Sequence, residues 1–193
     1  MYVSEIKQAI SRFIVTGLII ATLGGCSSPP KITLDDPEPE QSNVSLVYGY
    51  FDMDKAQSAS YHWLVARRYR PSTKEYEMHV YQSGLFYHLG VENGSHQVVR
   101  LGAYETSFHF GTHRKNETAV KINKPGLYYM GSFEYDLKRS DSWLANGGGT
   151  FSAVKTKKPS EKEVLTLLLK VMKDEHSDYT TQIGWIEKRI KEL

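Results

Sequence analysis

Between residues 44 and 157 apolar side chains recur at every second position, in short runs separated by turn formers. Successive side chains of an extended chain point to opposite faces, so this period builds strands with one apolar face, whereas a helix needs spacings of three and four. Val44, Leu46, Tyr48 and Tyr50 open the series; Tyr61, Trp63 and Val65 follow, then Tyr76, Met78 and Val80, then Leu85, Tyr87 and Leu89. Gln97-Val98-Val99-Arg100-Leu101 reads as another strand, as do the stretches holding Thr106, Phe108 and Phe110 and Thr118, Val120 and Ile122. Beyond the Pro125-Gly126 turn the longest strand covers 127–137, with Leu127, Tyr129, Phe133 and Tyr135 on one face. Residues 151–154 close the set after Asn146-Gly147-Gly148-Gly149. The 13 tyrosines, 3 tryptophans and 7 phenylalanines suit a pleated surface. This pattern predicts a mainly β domain over 44–157, an antiparallel β-sandwich or open barrel of about seven to nine strands. Trp63, Val99, Phe108, Val120, Tyr129 and Phe133 are expected in its core.

The period changes after Lys157. Pro159-Ser160-Glu161-Lys162-Glu163 has the form of a capping box, with Ser160 as N-cap and Glu163 at the third helical position. Val164, Leu165, Leu168, Val171 and Met172 then recur at helical spacing, and His176-Ser177-Asp178 interrupts them. Ile183, Ile186, Ile190 and Leu193 make the stripe of a second helix, so residues 158–193 are expected as a C-terminal helical pair. The turn-then-strand segments Asn93-Gly94-Ser95-His96-Gln97-Val98-Val99 and Lys124-Pro125-Gly126-Leu127-Tyr128-Tyr129 resemble those of prealbumin-like β-sandwiches.

Residues 1–25 have the texture of an export signal. Lys7 and Arg12 precede the apolar run Phe13-Ile14-Val15-Thr16-Gly17-Leu18-Ile19-Ile20-Ala21-Thr22-Leu23. A run of about eleven residues falls short of roughly 30 Å of hydrocarbon and has the length of a signal h-region. It ends in Leu23-Gly24-Gly25-Cys26, which resembles the lipobox of bacterial lipoproteins. The resemblance implies diacylglycerol on the Cys26 sulfur, cleavage between Gly25 and Cys26, and a further acyl group, such as palmitate, on the new amino terminus. It also implies that Ser27, standing where aspartate favours retention in the inner membrane, permits sorting to the outer membrane. Cys26 is the only cysteine, so no intramolecular disulfide is available. Residues 26–43 hold four of the seven prolines together with Asp35, Asp36, Glu38 and Glu40. They read as an extended tether reaching at most about 50 Å at polyproline II rise.

The functional classes narrow by exclusion. A formal charge of +2 with interspersed signs argues against a nucleic-acid partner. There is no spare cysteine nucleophile, no Gly-x-Ser-x-Gly elbow and no phosphate loop, since 147–149 lacks a following Gly-Lys-Ser/Thr. Asp52-Met53-Asp54 opens like a calcium loop, but Gln57 and Trp63 occupy the positions that need glycine and glutamate. His79, His96, His109 and His113 are the candidates for a metal site, three of them on strand faces opposite the expected core. Arg67-Arg68-Tyr69-Arg70 and Lys155, Lys157 and Lys158 are the basic clusters that would suit phosphates or acidic glycans. The reading is an outer-membrane-anchored lipoprotein whose β-rich domain is non-enzymatic, carries no cofactor beyond the lipid, and binds an envelope protein or glycan. One alternative is a metal-dependent or carbohydrate-directed periplasmic enzyme. Another is a structural subunit of a larger envelope assembly docked through its C-terminal helices, where the Leu165–Met172 stripe would be a partner-binding face.

Overall fold

The computed structural model describes residues 44–52, 63–103, 106–109, 116–139 and 149–193, and the side chains of these except 103, 106–109, 135–139 and 149–153. The expected signal, the expected lipobox with Leu23, Gly24, Gly25 and Cys26, Ser27, the expected tether and His113 lie outside the described residues.

Among the described residues nine strands and two helices follow in order: β1 Ser45–Asp52, β2 Trp63–Arg70, β3 Lys74–Val80, β4 Leu85–Val91, β5 Gly94–Ala103, β6 Thr106–His109, β7 Val120–Ile122, β8 Leu127–Arg139, β9 Gly149–Thr156, α1 Glu161–Glu175 and α2 Thr180–Glu192. The chain is mainly β, and the strands form one mixed sheet ordered β6-β5-β2-β3-β4-β1-β8-β9, with β7 on another stretch of β5. Every pairing is antiparallel except β1 with β8, which runs parallel. The sheet curls until its outer strands, β6 and β9, approach within 8 Å between Cα atoms. Of the two architectures the alternation allows, this is the open barrel. β2 and β3 pair from Leu64↔Met78 to Arg68↔Lys74, yet β3 and β4 pair only at His79↔Tyr87 and Val80↔Phe86. The β3–β4 hairpin therefore splays away from its turn.

Both faces of the central strands are buried. Inside the curl, Val47, Phe51, Leu64, Met78, Phe86, Val98, Leu101, Ile122, Met130 and Phe133 form one core. Outside it, Leu46, Tyr48, Leu85, Tyr87 and Leu89 pack beneath Val164, Leu165, Leu168, Met172, Tyr179 and Ile186 of the helical segment. Fully burying each aliphatic side chain stabilises by about 1.5–3 kcal/mol, so this helical cover is an integral layer of the fold. Gly49 is needed for the inner core, because a Cβ there would lie 2.3 Å from the Phe86 ring and 2.9 Å from the Gly131 carbonyl oxygen.

Two irregularities break the period of two. Opposite β1 the register jumps from Tyr48↔Tyr129 to Gly49↔Gly131, with Gly131 at φ +128°. Leu127 and Tyr129 thus face the helices, while Met130 and Phe133 face the interior, correcting the single face expected for Leu127, Tyr129 and Phe133. In β5 the register passes from Val65↔Arg100 to Ala66↔Val98, leaving Val99 as the extra residue. Val98 and Leu101 therefore share the inner face. Val99 and Phe133 are fully buried as expected. Trp63, Val120 and Tyr129 are only half-buried, being near strand ends or beneath the helix rim, and the Phe108 side chain lies outside the described residues.

Candidate functional site

Histidines and tyrosines converge in two places, separated by the sheet. The first is the seam between the β3–β4 hairpin and the turn joining α1 to α2. His79 and Tyr87 are cross-strand partners, so their rings stack with centroids 4.9 Å apart and planes 18° apart. Tyr81 stacks on the same tyrosine from its other side at 5.9 Å. α1 ends at the expected interruption, and its C-cap residue His176 enters the seam edge-on to His79, Tyr87 and Tyr179. The Tyr87 hydroxyl lies 2.8 Å from His176 Nε2 and 3.3 Å from the Tyr81 hydroxyl, which donates to Glu175 Oε2 at 2.5 Å.

Proton bookkeeping orients this chain. Each tyrosine has one hydroxyl proton, and that of Tyr81 goes to the Glu175 carboxylate. If His176 carries a proton on Nε2, then Nε2 donates to Tyr87, Tyr87 to Tyr81 and Tyr81 to Glu175, with one proton in every contact. With Nε2 bare, Tyr87 turns its proton to the imidazole and the 3.3 Å contact holds none. The arrangement joins a helix terminus to the sheet through a directed polar chain and has the form of a structural clasp.

The second cluster fills the splay of the hairpin from inside. Tyr76 stands edge-on to His88 at 5.3 Å and tilted to His96 at 5.6 Å, and all three are buried. His88 Nδ1 accepts the Gly90 N–H at 2.9 Å, while His96 Nε2 lies 2.8 Å from the Glu92 carbonyl oxygen and must donate to it. Burial, with the Arg68 guanidinium adding repulsion, pushes the His96 imidazole down to about 4, so it is neutral at pH 7. Among the described residues neither its Nδ1 nor the Tyr76 hydroxyl has a hydrogen-bond partner. Outside the splay, the Glu92 carboxylate accepts from Arg68 and from Lys74 at 2.5 Å, tying the end of β4 to β2 and β3.

Of the expected metal set, the two members whose side chains are described are not brought together. His79 lies on the helix-covered face and His96 on the inner face; the expectation that His96 turns away from the core is corrected, because the extra residue at Val99 puts His96 on the parity of Val98. His109 pairs with Arg100 through β6, and its side chain, like all of His113, is outside the described residues. Among the described residues no three His, Cys, Asp or Glu groups converge on a point that would hold a metal ion. His79 does meet two other histidines, His88 at 6.4 Å and His176 at 5.9 Å between ring centroids, and neither of these stands out in the sequence; one lies in an alternating strand, the other at a helix break.

The first basic cluster also has a structural role. Arg67 Nε and Nη2 donate to Glu75 Oε1 at 2.8 and 2.5 Å, and Arg100 Nη2 donates to its Oε2 at 2.5 Å. Arg68 is buried and donates to the Ser72 carbonyl oxygen and hydroxyl as well as to Glu92. Arg70 alone of the three is exposed, and Lys155, Lys157 and Lys158 are exposed too. The Leu165–Met172 stripe turns Leu165, Leu168 and Met172 onto the sheet. Glu161 secures that packing, accepting from the Tyr48 hydroxyl at 3.0 Å and from Arg189 Nε at 2.9 Å. Among the described residues no helix is long and apolar enough to cross a membrane.

Comparison of this chain with protein-family models, with curated proteins and with solved structures finds no match.

Proposed function

We propose that this protein is a lipid-anchored component of a bacterial envelope, held at the outer membrane through Cys26, whose β-rich domain binds an envelope protein or glycan without catalysing a reaction. The observation that carries the anchoring is Leu23-Gly24-Gly25-Cys26 at the close of a short apolar run behind Lys7 and Arg12. Diacylglycerol on the sulfur and an acyl group on the amino terminus together give stable attachment, which a single chain does not. The binding role is supported by the use made of the chemically capable side chains. Arg67 and Arg100 neutralise Glu75, His176 caps α1, and His96 is neutral within the curl. These are arrangements that rigidify a scaffold, and rigid scaffolds suit recognition.

The test is metabolic labelling with a palmitate analogue in a bacterial host. The wild-type chain should take up label and fractionate with the outer membrane. Cys26→Ser should take up none and accumulate as precursor, and Ser27→Asp should shift the labelled protein toward the inner membrane. Label in Cys26→Ser, or none in the wild type, would refute the anchoring.

A further inference from the structure

The end of the curled sheet at which β1 begins can be mapped from the strand registers. Ser45 lies opposite Val91, the last residue of β4, and Leu46 lies opposite Leu127, the first of β8. The Leu46 N–H donates to the Gly126 carbonyl oxygen at 3.0 Å, and the Ser45 hydroxyl to that of Lys124 at 3.3 Å. Three residues beyond Val91 the chain starts β5, where Gly94 pairs with Ile122 and Ser95 with Lys121. Ser95 also faces Arg70, and Arg68 faces Lys74. Among the described residues, one end of the barrel thus gathers Arg68, Arg70, Lys74, Lys121 and Lys124, with Glu92 bridging Arg68 and Lys74.

That excess is notable in a chain whose formal charge is only +2. Glu92 is already shared between Arg68 and Lys74. Arg70, Lys121 and Lys124 are exposed, and none is ion-paired to a described residue. Among the described residues the other end carries Asp52 at the close of β1, the uncharged turn Tyr81-Gln82-Ser83-Gly84, and Lys138-Arg139 at the close of β8. The covalent path from Cys26 enters the domain at the basic end: eighteen residues, Asp35, Asp36, Glu38 and Glu40 among them, lie between Cys26 and Ser45, a span of at most about 65 Å.

We propose that this end is a membrane-docking face, and that Arg70, Lys121 and Lys124 engage the lipid phosphates of the bilayer that holds Cys26. The choice of surface rests on the anchoring proposed above; the charge placement does not. Each cation near an anionic bilayer strengthens binding about fivefold, too little for a free domain at high affinity but enough for one already tethered. Docked this way, the domain presents the Tyr81–Gly84 turn and the far ends of β1 and β8 away from the bilayer, where a partner would meet them.

The test uses the chain from residue 26 onward carrying Cys26→Ser, so that neither an acyl group nor the apolar run of residues 13–23 contributes, and measures sedimentation with vesicles of phosphatidylglycerol and of phosphatidylcholine. Binding should favour phosphatidylglycerol and fall steeply toward 1 M salt, where the screening length is about 3 Å. Arg70→Glu/Lys121→Glu/Lys124→Glu should weaken it about 100-fold or more. Lys170→Glu, on the exposed side of α1, should change it little. Arg70→Gln/Lys121→Gln/Lys124→Gln gives an intermediate loss and serves if the reversed variant misfolds by circular dichroism. Parent-like binding by both folded variants, or equal binding to the two lipids, would overturn the proposal. So would tighter binding to a soluble polyanion of matched charge, which would point to a glycan. Because no acylation enters this assay, its failure and the failure of the palmitate experiment are separate results.

Discussion

At the scale of single residues, His96 is the most informative group. Its imidazole is buried beside Tyr76 and lies near pKa 4 in the folded chain against an ordinary value of 6.5. As pH falls from 6.5 toward 4, the unfolded chain takes up a proton that the folded chain refuses. Stability is therefore fully present above 6.5 and is lost through that window, by roughly 3 kcal/mol in all. Urea unfolding at pH 7 and pH 4 measures the loss, and His96→Gln should flatten it. An imidazole resonance for His96 that titrates near 6.5 in the folded protein would contradict this account.

At the scale of elements, capping and bulges decide how the local patterns are used. The capping box forms as its residues predict: the Ser160 hydroxyl accepts from the Glu163 N–H at 3.4 Å, and Glu163 Oε2 accepts from the Ser160 N–H at 2.7 Å. These bonds hold the exposed Glu163 carboxyl below its usual range. Gly131 determines which face each half of β8 presents. Its φ of +128° is strained for any L side chain, and a Cβ would stand 2.8 Å from the Phe133 ring. Gly131→Ala should destabilise the protein by about 1–3 kcal/mol, read as a lowered urea midpoint. The Tyr48–Glu161 bond should survive in the Ala variant only if the bulge persists, which the upfield Tyr48 and Tyr129 ring resonances would report, since these rings stack at 5.1 Å.

At the scale of the whole molecule, the splayed β3–β4 hairpin is the weak joint, and Glu92 closes it from outside. Hydrogen bonds from Lys74, with Arg68 adding its own, hold the Glu92 carboxyl below the ordinary 4.5. The stabilisation is present above about pH 4.5 and is lost as pH falls through the depressed folded value. Because this side chain is 44% exposed, solvent screens it, and Glu92→Gln should cost only about 0.5–1 kcal/mol at pH 7. That difference should vanish in strongly acidic buffer. Amide exchange of Val91 and Lys74 should quicken in the variant while that of Tyr48 and Leu168 should not, because the loosened joint lies far from the helical layer.

The sequence by itself determined the element types and the helix start. A period of two across 44–157 and a period near 3.6 after Ser160 are local properties, readable from neighbours along the chain. It also marked the capping box and the β-rich class. It left open whether the strands make two sheets or one, because the registers that decide it join residues as distant as Leu46 and Leu127. It misassigned His96 and Phe133, because single extra residues at Val99 and Met130-Gly131 invert the parity that alternation assumes. The meeting of His79, Tyr87 and His176 was invisible for a related reason: Tyr87 and His176 stand 89 positions apart. Only the packing of α1 across β4 and β1, driven by burial of Leu165, Leu168 and Met172, carries the helix end to the hairpin. The basic end is likewise a tertiary product, for its cations come from β2, β3, β7 and the turn before β8, and curling of the sheet alone makes them neighbours.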